Sequence, residues 1–511
     1  MDGDEIELKL ALPPDALNRL RRLPVLRRHR QGRPTLKTLD AVYYDTPDLA
    51  LAGAGITVRV RHDGKGKTRQ TVKTAGSRTS GLFSRREWEA EIAGPRPDIE
   101  RLRATGLDIL TDGSVCERLE PVFATHVRRS LHLLRGEDWR LELAIDVGKV
   151  RAGERSEPVC EVELELLEGP PTTLFALARE IAARVPVRLL AQSKSDRGHA
   201  LAQGHARGAV KATPLALGDA PTLADAFRAI ARNCLHHLLA NQQALVDQGD
   251  GEAVHQMRVA LRRLRSALKI FRPLVGGPQL APLRDEIGWL LGRLGPARDA
   301  EVFLTEIIAP VADSHADHDG LNTLRAYWQA ECRTDLAAAR EAAGTPRFTR
   351  LLLDLGAWVE AGDWCTDPAL PGFALGGEPL APFARRVLKR LARRLAKQGG
   401  KRLSRLAPAE LHRTRILGKQ MRYAGEFFAP LYRKSAVKDT LALLGRLQDA
   451  LGELNDIAVA APRLAACHHL GETAWAAGMV AGWHEARRPR LIARADELWA
   501  DLRRRKKVWK D

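Results

Sequence analysis

Glu5-Ile6-Glu7-Leu8-Lys9 alternates charge with apolar bulk. In a β-strand successive side chains point to opposite faces, so Glu5, Glu7 and Lys9 share one face while Ile6, Leu8 and Leu10 share the other. Two carboxylates and an ammonium on one strand face can hold a hard divalent cation beside a phosphate. The alternation recurs downstream. Arg59 and Arg61 face away from Val58 and Val60, Thr71 and Lys73 share a face, and Arg85, Glu87, Glu89 and Glu91 face away from Trp88. Glu142, Ala144 and Asp146 form a further set, and Glu161, Glu163 and Glu165 stand opposite Val162, Leu164 and Leu166. Segments 55–61, 68–74, 84–92, 138–147 and 158–167 are therefore predicted as antiparallel strands.

A charged strand face usually meets water, and that reading suffices for any one of these strands. The set behaves differently, because the charges segregate by strand: acidic at 5–7, 87–91 and 161–165, basic at 59–61 and 73. If the sheet closes on itself these faces can point inward, where charges must be paired or must coordinate something. Carboxylates offer oxygen ligands to Mg²⁺ or Mn²⁺, and Arg and Lys clamp phosphate oxygens. That combination points to metal-assisted phosphoryl chemistry. The chain has no GxxxxGK[ST] run, which removes a P-loop from consideration.

Composition bounds the rest. At 511 residues the chain exceeds one typical domain, and 45% hydrophobic content suffices for real cores. No apolar run approaches the ~18 residues of a membrane span, and the N-terminus is charged rather than signal-like. Six cysteines lie far apart without a CxxC pair, which favours a reducing cytoplasm over a disulfide framework or a zinc site. Residues 1–200 hold 34 Lys+Arg against 30 Asp+Glu, and the remainder holds 47 against 33. The C-terminal part is thus the basic one and is expected to attract polyanions. Texture changes near residue 204, where short alternating segments give way to Ala/Leu/Arg-rich helical spacing. A Pro/Gly-rich break from Asp363 to Pro382 divides the helical part in two.

The N-terminal motifs resemble the CYTH domain, the triphosphate tunnel metalloenzymes. The resemblance rests on ExExK at 5–9, then Tyr43-Tyr44-Asp45-Thr46-Pro47, Arg59-Val60-Arg61, Thr71-Val72-Lys73, Arg85-Arg86-Glu87-Trp88-Glu89, Glu142-Leu143-Ala144-Ile145-Asp146, Glu161-Val162-Glu163-Leu164-Glu165 and Ser193-Lys194-Ser195-Asp196-Arg197-Gly198, in family order over about residues 1–203. It implies an eight-stranded antiparallel β tunnel with flanking helices that binds a triphosphate and one or two divalent metals. On that reading Glu5 and Glu7 are metal ligands, and Lys9, Arg59, Arg61, Lys73, Arg85 and Lys194 hold phosphate oxygens. Either Arg128 or Arg129 joins them, with Arg129 preferred. Asp146 and Glu161, Glu163 and Glu165 serve the metals or orient water, the division among the three glutamates being open. Glu5, Glu7, Lys9, Asp146 and Glu163 form the expected catalytic set.

The helical part repeats itself. His255-Gln-Met-Arg258 and His412-Arg-Thr-Arg415 lie 157 residues apart, and the same offset relates Arg262 to Lys419, Arg265 to Arg422, Phe271 to Phe428 and Asp299 to Asp456. Steps of 0, +3, +7 and +10 keep one helical stripe, so His255, Arg258, Arg262 and Arg265 form a basic ridge and His412, Arg415, Lys419 and Arg422 its twin. Helix 382–398 adds Arg386, Lys389 and Arg393 among seven basic residues. A lone charge run is usually a solvated face. Paired stripes with few interleaved acids repel themselves unless an anion relieves them. Neither histidine has a second metal ligand at suitable spacing.

These features resemble the CHAD domain, the conserved-histidine α-helical domain, over about residues 220–505. The resemblance implies two pseudo-symmetric four-helix bundles with a basic surface that binds inorganic polyphosphate. No aromatic residues interleave the basic stripes, which disfavours nucleic acid as partner. The expected organisation is a tunnel domain at 1–203, a linker at 204–219 and a helical domain at 220–508 with halves at about 220–362 and 380–508. The expected protein is a cytoplasmic α+β triphosphatase, hydrolysing inorganic triphosphate with Mg²⁺ or Mn²⁺ and placed beside polyphosphate granules. A nucleotide-using tunnel enzyme (an adenylate cyclase or thiamine triphosphatase) and a non-catalytic polyphosphate scaffold are the alternatives.

Overall fold

A computed structural model of the chain describes residues 3–62, 66–79, 81–204, 208–219, 221–432, 434–469 and 473–505. His205, Ala206 and Arg207 of the expected linker, and residues 506–508 of the expected helical domain, lie outside the described residues. The chain packs into two compact units. One comprises Met1–Val210, Leu235–Gln248 and Ala343–Ala361, and the other Lys211–Cys234, Gly249–Ala342 and Gly362–Asp511.

Among the described residues the first unit holds ten antiparallel strands: β1 (Gly3–Ala11), β2 (Arg30–Asp45), β3 (Ile56–His62), β4 (Thr68–Thr74), β5 (Ser77–Thr79), β6 (Leu82–Ile92), β7 (Glu120–Arg135), β8 (Arg140–Ala152), β9 (Arg155–Glu168) and β10 (Arg188–Leu189). Eight of them run β1-β9-β8-β7-β2-β3-β4-β6 and close through a β1–β6 pairing. β5 and β10 are short additions alongside β6 and β1. Closure leaves the eight long strands without a free edge. The charge alternation read from the sequence corresponds to β1, β3, β4, β6, β8 and β9.

The apolar faces point outward and are roofed by helices. Leu8 and Leu10 are fully buried, and helix Thr172–Ala182 packs on β1 and β9 through Leu174, Phe175, Leu177, Ala178 and Ile181. Helix Pro346–Ala361 packs on that helix in turn, so closely that a Cβ at Gly356 would lie 2.4 Å from the Phe175 ring. Elsewhere on the wall Val58, Val60 and Val72 pack with Leu51, Leu102, Leu110 and Cys116. Burying each such Val or Leu side chain stabilises by about 1.5–3 kcal/mol relative to exposure. With the apolar faces used outward, the polar ones are left to line the interior.

The second unit is all-helical. Leu223–Gln248 (its first part), Gly251–Ile270, Leu280–Val302 and Asp319–Gly344 (nearly all of it) come from the first half, and Leu380–Gly399, Pro408–Phe428, Lys434–Ala465 and Thr473–Arg504 from the second. The two halves share a core: Phe303, Ile307, Leu321 and Leu324 pack with Leu464, Ala476 and Val480. Helices Gly251–Ile270 and Pro408–Phe428, which carry the two basic ridges, touch each other. Among the described residues no helix is long and apolar enough to cross a membrane.

Candidate active site and anion site

The tunnel interior is a cavity of ≈ 700 Å³. Strand parity decides what lines it. Glu5, Glu7 and Lys9 of β1, Arg59 and Arg61 of β3, Lys73 of β4, Arg85 of β6, Arg129 of β7, Asp146 of β8, Glu163 and Glu165 of β9, and Lys194 all do so. Parity also resolves the arginine pair on β7, because Arg128 is exposed on the outer face. Glu161, on the same face of β9, does not line the cavity; it is buried and held by Lys194 and Arg197.

Opposite charges interlock throughout. Arg85 Nε donates to Glu5 at 2.9 Å and a terminal nitrogen donates to Glu7. Lys73 reaches Glu5 and Glu87, both at 2.8 Å. Lys9 bridges Glu7 at 2.8 Å and Glu163. Arg129 grips Asp146 with two parallel bonds of 2.7 and 2.6 Å, and Lys194 meets Asp146 at 2.7 Å and Glu163 at 2.9 Å. Burial opposes ionisation of Glu163, yet Lys194, Lys9 and Arg129 hold its carboxyl well below the usual range. Glu5 follows the same logic: burial pushes it up, while Lys73 and Arg85 bring it below the ordinary value. Lys194 pays the reverse desolvation and is nevertheless kept charged by Asp146, Glu161 and Glu163.

Glu165 departs from this pattern. It is the direct cross-strand partner of both Glu7 and Glu142, so three carboxylates run in a row across β8, β9 and β1. Burial first, and then Glu5, Glu7 and Glu142, push its carboxyl up to about 7. Like charges are therefore in excess here. The reverse holds at Arg61, where Arg59 and then burial lower the guanidinium to about 10. Arg61 and Arg69 both draw on Glu89, and Arg61 does so at 3.1 Å.

Two acidic groups bear on metal binding. Asp146, Glu161 and Glu163 bring carboxylate oxygens within 4.8 Å of one another. Their charge is already matched by Lys194 and Arg129. On the Glu5–Glu7–Glu165 side Glu5 and Glu7 are paired with Lys73, Arg85 and Lys9, whereas Glu165, with Glu142 beside it, has no ion-pair partner among the described residues, and the three offer hard oxygen donors. This side fits a divalent cation the better of the two.

Several lining residues escaped the sequence reading. Glu87 and Glu89 were visible as a charged face without an assigned partner, and they pair with Lys73 and with Arg61 and Arg69. Lys37, Tyr43 and Arg69 also line the cavity. Asp45, in the Tyr-Tyr-Asp-Thr-Pro segment, is a scaffold residue: fully buried, it accepts backbone N–H bonds from Thr46, Leu51 and Ala52 at 2.8, 2.8 and 2.9 Å.

In the helical unit the two ridges converge. Burial depresses Arg415 and Lys419, and Arg262 lies close enough to add to the effect on both. Burial, then Arg415 and Arg262, bring the Lys419 ammonium down to about 7. Burial and Arg298 hold His255 at about 4, so it is neutral at physiological pH. The Nε atoms of Arg258, Arg262 and Arg415 are buried without a hydrogen-bond partner, whereas Arg422 Nε is paired with Glu426 at 3.3 Å. Asp299 accepts from Arg258 at 3.4 Å, and His412 bonds Asn455 at 2.7 Å. Arg265, Arg386, Lys389 and Arg393 are exposed.

A family model described as CYTH domain matches residues 3–198, and one described as CHAD domain matches residues 229–465. An inorganic triphosphatase of Haemophilus influenzae is 30% identical over 205 residues, 39% of this chain and 54% of that protein, so the chain spans about half the length of this relative. An uncharacterized protein of Mycobacterium tuberculosis is 27% identical over 440 residues, covering 81% of this chain and 80% of that one. The crystal structure of the CHAD domain from the plant Ricinus communis is 36% identical with a TM-score of 0.51, covering 58% of this chain and 97% of that chain.

Proposed function

This chain joins a CYTH domain to a CHAD domain, and from that premise we propose that its tunnel hydrolyses inorganic triphosphate to pyrophosphate and phosphate with Mg²⁺ or Mn²⁺, while its helical unit binds polyphosphate. The observation that carries the reading is the cavity inside the closed ring of strands, lined by a carboxylate row and an Arg/Lys set. Glu5, Glu7 and Glu165 would hold the metal, with Asp146, Glu161 and Glu163 as the second candidate set. When bound, the ion neutralises phosphate charge and polarises the phosphorus–oxygen bonds.

The chain's own residues account for the remainder. Arg59, Arg61, Lys73, Arg85, Arg129, Lys9 and Lys194 donate to phosphate oxygens inside the tunnel. Preorganised donors of this kind stabilise charge in the transition state more than donors in water do. A tunnel carboxylate orients the water that attacks the terminal phosphorus in line, so catalysis is mainly positioning and electrostatics. In the helical unit the buried, unpartnered guanidinium nitrogens of both ridges are donors awaiting an anion. A bare phosphate polymer needs only charge and donors, and the salt dependence of its binding should be steep.

The test is to incubate the purified protein with Mg²⁺ or Mn²⁺ and inorganic triphosphate, ATP, thiamine triphosphate or long-chain polyphosphate, and to identify the products. Phosphate release that is greatest from triphosphate supports the reading. Cyclic AMP from ATP would assign a cyclase instead, and turnover of none of them would leave a polyphosphate scaffold.

A further inference from the structure

Tyr43 lines the tunnel and is 4% exposed. Its ring is clamped. It stacks on Phe123 with centroids 4.3 Å apart and planes 17° from parallel. Phe123 meets His199 edge-on at 5.0 Å and presses on Gly198, where a Cβ would lie 2.1 Å from the ring. The phenol lies beside the guanidinium of Arg59, its direct cross-strand partner on β3, and both line the cavity. Arginine has only donors, so it can only give a proton to the Tyr43 oxygen, and the phenol's own O–H proton stays available. Among the other cavity hydroxyls, Thr57 and Ser195 bond each other at 3.0 Å and Ser193 caps the helix Lys194–Gln203.

We infer that Tyr43 is a substrate-positioning residue whose phenol, fixed by Arg59 and Phe123, donates its proton in a hydrogen bond to a phosphate oxygen of the triphosphate. The inference rests on the triphosphatase reading of the tunnel. Its logic is geometric. A cation gathers an anion from any direction, whereas a neutral O–H on a ring that cannot turn selects one oxygen at one place. Burial alone would make the phenol a weaker acid, but Arg59, with Lys194 and Lys73 nearby, reverses this and makes it the better donor. Tyrosine also loses little conformational freedom on binding, since its ring is already held.

Tyr43→Phe removes the hydroxyl and keeps the stacked ring. Three quantities are read on the full chain: triphosphate KM and kcat with Mn²⁺, triphosphate affinity by titration calorimetry, and Mn²⁺ affinity without triphosphate. A lost hydrogen bond to a charged oxygen predicts a rise in KM and Kd of about tenfold or more. The kcat is expected to stay within about twofold, and Mn²⁺ affinity and thermal unfolding are expected to be unchanged. Triphosphate affinity equal to wild type would overturn the inference, as would a parallel loss of Mn²⁺ affinity and thermal stability, which would mark a purely structural residue. Failure of the wild-type protein to bind triphosphate at all would overturn the tunnel reading itself, and the inference with it.

Discussion

Glu163 and Glu165 stand two residues apart on β9 and face one cavity, yet their surroundings drive them in opposite directions. Glu163 sits among Lys194, Lys9 and Arg129, and Glu165 among Glu5, Glu7 and Glu142. Because the folded state holds the Glu165 proton more tightly than the unfolded chain does, stability falls as pH rises from the ordinary carboxylate range through about 7. Metal-free wild type is therefore predicted to lose up to about 3 kcal/mol between roughly pH 5 and pH 8 relative to Glu165→Gln, measured by denaturant unfolding. Parallel stability curves for the two would contradict this, and saturating Mg²⁺ should abolish the difference. Glu5, Glu163 and Asp146 have the opposite sign, their contribution being lost as pH falls below the carboxylate range. Lys419 supplies a second titration. An ammonium depressed to about 7 is mostly neutral at roughly pH 8 and should take up close to one proton when a polyanion arrives. The dependence of polyphosphate binding heat on buffer ionisation measures that uptake. Lys419→Met should reduce it, and unchanged uptake would place the titrating group elsewhere.

At the scale of elements, the tunnel depends on short links between strands as much as on the strands. Asp45 ends β2 and gathers three backbone N–H groups that would otherwise be buried and unpaired. Asp45→Ala is predicted to destabilise by about 3 kcal/mol in thermal or denaturant unfolding, from the lost bonds and the stranded donors. A loss below ~1 kcal/mol would show that water replaces the carboxylate. The sequence revealed the strands whose charged and apolar faces separate cleanly. It did not reveal β2 and β7, because both carry apolar residues on their two faces: Ala41 and Tyr43 against Val42 and Tyr44, Phe123 and Val127 against Val122. Such strands lack a period to read. The choice between Arg128 and Arg129 needed the pairing of Arg129 with Asp146 across β7 and β8. The duplicated ridges were plain from the constant offset. Their convergence, with Arg262 beside Arg415 and Lys419, depends on how two helices distant in sequence pack, and a single sequence does not encode that legibly.

At the scale of the whole molecule, the two proposed phosphate sites use charge differently. The tunnel balances nearly every cation with a carboxylate and can therefore bury them. The helical cluster leaves guanidinium nitrogens without partners. Reversing Arg258, Arg262, Arg415 and Arg422 to Glu should lower polyphosphate affinity by at least about a hundredfold at low salt while sparing triphosphate hydrolysis. Unchanged binding by the folded variant would move the polyanion site elsewhere. The central claim concerns the tunnel, and it is tested most directly by the rate of phosphate release from inorganic triphosphate with saturating Mg²⁺, comparing wild type with Glu5→Gln/Glu7→Gln after circular dichroism has shown both to be folded. The account predicts release by the wild type and a fall in kcat/KM of at least about a hundredfold in the variant, on the order of 3 kcal/mol of transition-state stabilisation. Equal rates for the two proteins, or no release by the wild type, would contradict it.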